Sequence, residues 1–125
     1  MNPGLDVNWT NRGDLHRTVL HAASIHGTVE AVKLLLAHPD IKVNEKDDFG
    51  STPLSFGCQE GHEFVVELLL KDSRVNATLE DHDGCTPLWW ASLRGHHEEV
   101  EWLVASDRDL GDIENKKGKY WENEG

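Results

Sequence analysis

Three stretches of this chain are spaced copies of one another. Thr18-Val19-Leu20-His21-Ala22-Ala23, Thr52-Pro53-Leu54-Ser55-Phe56-Gly57 and Thr86-Pro87-Leu88-Trp89-Trp90-Ala91 start 34 residues apart. Gly27, Gly61 and Gly95 keep the same interval, as do Leu35, Leu69 and Leu103. A fixed period of roughly 20–50 residues signals stacked units, because one unit alone cannot bury its apolar face.

Each unit reads as helix, turn, helix. Thr18, Thr52 and Thr86 stand where a hydroxyl accepts an orphan N–H at a helix start. Pro53 and Pro87 suit the first helical position, and Val19 lacks that preorganisation. Gly27 is placed to end the first helix in a left-handed conformation. A second helix is predicted over about 29–37, with Val29, Val32, Leu35 and Leu36 on one face and Pro39 as a stop. Its counterparts are predicted over about 63–71, burying Phe64, Val65, Val66, Leu69 and Leu70, and over about 98–105, with Val100, Leu103 and Val104 around Trp102. Glu63 and Glu67 are like charges one turn apart, which is mildly unfavourable.

The pattern resembles the ankyrin repeat. The likeness rests on Thr-Pro-Leu-x-x-Ala, then Gly-His or Gly-Thr, then an apolar helix with three leucines, and on Val43-Asn44 ahead of Asp47-Asp48-Phe49-Gly50. It covers roughly residues 5–118, and in composition the chain is similar to the short arrays of large fungal proteins. The resemblance implies an all-α repeat solenoid, stacked helix-turn-helix units with finger-like β-turn loops. By this phase residues 1–12 are the tail of a partial repeat, 13–46, 47–80 and 81–114 are repeats, and 115–125 begin a fourth.

The chain departs from the family at several points. The first finger has Asp14-Leu15-His16-Arg17 in place of the Asp-x-x-Gly lead-in, so an irregular turn is expected. Gly57 replaces the usual alanine, which implies either a helix weakened by roughly 1 kcal/mol or a bulky neighbour, with Phe56 and Trp90 as candidates. Trp89 stands where His21 stands in the first unit and is expected to interrupt the cross-repeat bond that the family's histidine makes. The mid-repeat ends are expected to leave Leu5, Val7 and Trp9 uncovered on one side and Trp89, Trp102, Tyr120 and Trp121 on the other. Asn44 is similar to a loop asparagine hydroxylated in some ankyrin proteins, and a hydrogen bond within its own loop is the preferred reading.

Composition removes several functions. The net charge is −11, from 12 basic and 23 acidic residues, opposite to a nucleic-acid footprint. It serves solubility first and could steer a basic partner second. No apolar run approaches the ~18 residues of a membrane span, and residues 1–6 lack the regions of a secretory signal. Cys58 and Cys85 fit neither a zinc spacing nor a disulfide framework, which points to a reducing intracellular setting, cytoplasmic or nuclear. Without the regions of a secretory signal, Asn8-Trp9-Thr10 and Asn76-Ala77-Thr78 read as chance glycosylation matches.

Catalysis and metal binding find little support. His96-His97-Glu98-Glu99 is the densest ligand cluster, but adjacent helical residues point about 100° apart and the His-Glu-x-x-His spacing is absent. Cys58 has no identifiable base and reads as a small core residue. No cofactor, no catalytic residue and no metal ligand is expected.

The family usually contacts partner proteins through its finger tips and inner helices, and that is the function the resemblance implies here. Mapped by phase, the face holds Asp14, Leu15, Arg17, Ile25 and His26 in the first unit. It holds Asp48, Phe49, Ser51, Gln59 and Glu60 in the second, and His82, Asp83, Cys85, Leu93 and Arg94 in the third. Lys116, Lys117 and Lys119 continue it. Singly, Ile25, Phe49 and Leu93 are ordinary exposed apolar residues, and as a row on one face they weigh equally as anchors. The alternative is a structural role, in which the array stacks on further repeats or on itself.

Overall fold

The computed structural model describes residues 6–106 and 108–111. Six α-helices form three pairs among these residues: α1 (Val19–His26) with α2 (Val29–Leu36), α3 (Pro53–Glu60) with α4 (Glu63–Lys71), and α5 (Pro87–Leu93) with α6 (His97–Ala105). The first helices of the pairs lie side by side as an inner row, α1 against α3 and α3 against α5. The second helices make an outer row, α2 against α4 and α4 against α6.

The sequence periodicity is the periodicity of the contacts. Thr18, Thr52 and Thr86 each accept the N–H three residues on, from His21, Ser55 and Trp89. Gly27 and Gly61 end α1 and α3 at φ +71° and +75°, where a side chain would be strained. Leu20, Leu54 and Leu88 form one buried column, and Leu69 and Leu103 lie in another. Each such leucine contributes about 1.5–3 kcal/mol by leaving water.

The stack is also stitched by polar side chains that reach into the neighbouring unit. His62 Nε2 donates to the Ile25 carbonyl (2.8 Å) and His96 Nε2 to that of Gln59 (3.2 Å). Each ring lies over the glycine that ends the preceding inner helix, where a Cβ on Gly27 would come within 2.5 Å of His62. Arg74 donates to the Leu36 carbonyl (2.7 Å) and Arg108 to those of Leu70 and Asp72 (2.8 Å each), closing the ends of α2 and α4. A helix end leaves such carbonyls without intrahelical donors.

Several expectations need correction. Phe64 is 60% exposed, because α4 turns Val65, Val66, Leu69 and Leu70 inward and leaves Phe64 outside that arc. Trp89 is buried, with Trp90 edge-on at 5.1 Å. The neighbours that need the space at Gly57 are valines: a Cβ there would lie 3.1 Å from Val66 Cγ2 and 3.5 Å from Val65 Cγ1. Asn44 bonds the next repeat, its carboxamide donating to the Arg74 carbonyl (2.9 Å) and accepting from Asn76 N–H (2.8 Å). Asn8 does the same toward Asp40 and Lys42 (2.8 Å each). Leu5, Tyr120, Trp121 and the Lys116–Lys119 stretch lie outside the described residues.

Candidate protein-binding face

The second and third fingers are each built around one buried carboxylate. Asp47 Oδ1 accepts from the N–H groups of Phe49 (3.0 Å) and Ser51 (2.9 Å), while Gly50 N–H closes onto the Asp47 carbonyl (2.9 Å). Asp81 repeats this with Asp83 and Cys85 (3.0 Å each). A side chain that accepts two nearby N–H groups holds a tight turn in place. Adjacent fingers are tied by backbone: Asp48 N–H to the Leu15 carbonyl (2.9 Å), and His82 N–H to that of Phe49 (3.0 Å).

The first finger is irregular, as its sequence implies. It spans the bridge from Asn11 to Arg17, two residues longer than the others, and Asn11 stands in for the aspartate. Leu15 and His16 take up the excess at φ +59° and +58°. Non-glycine residues there cost about 1–2 kcal/mol each. His16 Nδ1 reaches Asp48 Oδ1 (2.8 Å), across to the second finger.

The residues assigned to the face divide into three groups. Asp48, Phe49, His82 and Asp83 are exposed at the tips, Phe49 at 56%. At the far ends of the inner helices His26, Glu60 and Arg94 are exposed, and Ile25, Gln59 and Leu93 are half-buried. Leu15, in the first finger where its carbonyl accepts the Asp48 N–H, is half-buried. Ser51 and Cys85 are buried, because each closes its finger back onto its aspartate, and neither offers a contact surface.

Arg17 serves the scaffold. Its Nε donates to Asp47 Oδ2 (3.1 Å) and its guanidinium lies 4.9 Å from the centre of the Phe56 ring. In the third repeat the same carboxylate oxygen, Asp81 Oδ2, accepts from the indole N–H of Trp90 (2.9 Å). Trp90 is half-buried with the Arg94 guanidinium 5.5 Å from its ring centre, beside a residue assigned to this face, although phase alone did not place it there. The signal was present: Trp and Arg four apart on one helix are neighbours that attract.

Behind the face lies a buried polar layer. His21 accepts Thr18 N–H at Nδ1 (3.0 Å), which leaves Nε2 to donate to the Ser51 carbonyl (3.0 Å). Burial pulls its pKa below the ordinary 6.5, against the raising pull of that carbonyl and of Asp47, so the ring is neutral. Trp89, in the matching position, has its indole N–H buried without a partner among the described residues, so the third unit lacks this link. Cys58 is fully buried, and burial reinforced by Glu99 pushes its thiol pKa far above the ordinary range. The His96–Glu99 cluster splits: His96 bonds Gln59, Glu98 is exposed and Glu99 is buried. Among the described residues no three potential ligands gather as a metal site.

These elements define a class: a helical-repeat solenoid of paired helices with carboxylate-braced fingers. Two family models match it, one described as Ankyrin repeats (3 copies) over residues 2–78 and one as Ankyrin repeats (many copies) over residues 58–104. The chain belongs to the ankyrin repeat family. Ankyrin repeats are generally protein–protein interaction modules. No helix among the described residues is long and apolar enough to cross a membrane.

Proposed function

We propose that this chain is a non-catalytic interaction module that binds a partner protein through its fingers and inner helices. The observation that carries the reading is Phe49. A large ring is held 56% exposed at the tip of a finger that Asp47 and both neighbouring fingers make rigid. A rigid exposed aromatic loses little conformational entropy on binding, and such residues dominate interface energies. Asp48, Asp83 and Asp14 surround the tips with negative charge, which favours a partner carrying basic side chains around an apolar one.

The test is a pull-down from lysate with the parent chain and a Phe49→Ala/Leu93→Asp/Arg94→Glu variant shown by circular dichroism to be folded. A protein retained by the parent and lost by the variant supports this face. Equal retention of the same proteins refutes it. The second reading, stacking on further repeats or on a second copy, is favoured by Trp9, which is 59% exposed beside the repeat-like bonds of Asn8. Light scattering decides that: a monomer at all concentrations counts against self-association.

A further inference from the structure

The opposite, outer-helix side carries a second surface. Leu34, Leu68 and Trp102 occupy the same repeat position on α2, α4 and α6, and form an apolar line across the outer row. Leu34 is 75% exposed, Leu68 is half-buried and Trp102 is 36% exposed. At the Trp102 end the line opens into a groove of about 280 Å³ between α4 and α6, lined by Glu63, Glu98, Glu101, Trp102 and Ala105.

Charge along this side is not evenly balanced. Glu30 pairs with Lys33 (3.5 Å) and Glu67 with Lys71 (2.8 Å). Glu63, Glu98 and Glu101 have no ion pair among the described residues, and these are the three that line the groove. Glu63 and Glu98 lie in the first turns of their helices, where the helix dipole welcomes a carboxylate. Glu101, one turn further on, has no such reason to be there. The Trp102 ring meanwhile shows what it can attract: Lys71 Nζ lies 5.8 Å from its centre.

We propose that this groove docks a cationic peptide segment of another protein, one that presents an arginine or lysine beside an apolar side chain. The apolar group covers Trp102 and Ala105, and the cation neutralises the surplus carboxylates. This groove lies on α4 and α6 of the outer row, apart from the finger face, which the fingers and inner helices form.

The probe is a fluorescein-labelled peptide of alternating arginine and leucine, titrated with the chain and followed by anisotropy. Saturable binding is expected, weakened about tenfold by Trp102→Ala, which keeps every charge. Glu98→Gln/Glu101→Gln is expected to weaken it by a similar factor at low salt, with the difference shrinking as salt screens it. Both glutamates are exposed, so this variant is a safeguard should Trp102→Ala perturb the fold. Phe49→Ala is expected to bind the probe as the parent does, even if it loses the partner of the finger face. No binding overturns the proposal. Binding that is indifferent to Trp102→Ala overturns it too, as mere attraction to a chain of net charge −11. Dimerisation that the peptide competes away, seen by light scattering, would make the occupant a second copy and refute a cationic partner.

Discussion

Replacing Asp47 by alanine should be among the most damaging single changes in the fingers. The side chain is fully buried and accepts three hydrogen bonds, from Phe49 N–H, Ser51 N–H and Arg17 Nε. Ser51 is buried, so its N–H would be left without a partner, at about 1.5–3 kcal/mol for a bond to a charged acceptor. Phe49 is exposed, and water would replace most of what its N–H loses. The Arg17 side chain is 20% exposed, so its guanidinium would recover only part of its solvation, leaving a further cost of about 1 kcal/mol. The total is about 3 kcal/mol, a large share of the roughly 5–15 kcal/mol that holds a small domain together.

The assay is urea unfolding followed by far-ultraviolet circular dichroism, comparing midpoints at unchanged slope. Two variants set the scale. Asp47→Asn keeps an acceptor for the backbone and loses only the bond to Arg17, so its loss should be smaller. Asp14→Ala, at an exposed position with one long contact to Arg17 (3.4 Å), should cost almost nothing. A midpoint change for Asp47→Ala no larger than that for Asp14→Ala would refute the view that buried carboxylates build the fingers.

Three other outcomes are expected. Gly27→Ala should destabilise by about 2 kcal/mol, since φ is +71° and the new Cβ would push His62 off the Ile25 carbonyl; thermal melting with Gly95→Ala, at φ +71° with nothing within 4 Å of the added Cβ, as control separates backbone strain from the displaced ring. Cys58 should react with a thiol reagent only after unfolding, because its thiol is buried and held protonated; prompt labelling in the native state, followed by mass spectrometry, would contradict this. Stability should fall as pH drops below about 6.5, because the unfolded chain protonates His21 before the folded one does, and His21→Asn should flatten that slope while lowering the urea midpoint near neutral pH.

The repeat units, the helix starts and the finger positions were legible because they depend on local rules repeated in register. A threonine just ahead of a helical stretch can cap it through its hydroxyl, and a 34-residue period places Thr18, Thr52 and Thr86 in the same role. The irregular first finger was legible for the same reason, since Asp14-Leu15-His16-Arg17 visibly breaks the pattern of the other two. Periodicity says less about which side of a residue is covered. Phase put Ser51 and Cys85 on the surface with their neighbours, while a bond back to the aspartate four residues earlier put them inside.

Pairwise geometry between units was decided only in three dimensions. Asn44 could have bonded its own loop or the next one, and the distance between stacked loops chose the next. Gly57 signalled a close approach without naming the partner, which helix packing assigned to Val65 and Val66. Arg17 and Trp90 share no sequence likeness, yet each brings an N–H to the free oxygen of a finger aspartate. The sequence by itself determined the stacked units, because capping, turn geometry and helical period act over a few residues. The tertiary structure decided which side chains brace the stack and which face outward, because those choices depend on the distance and angle between units.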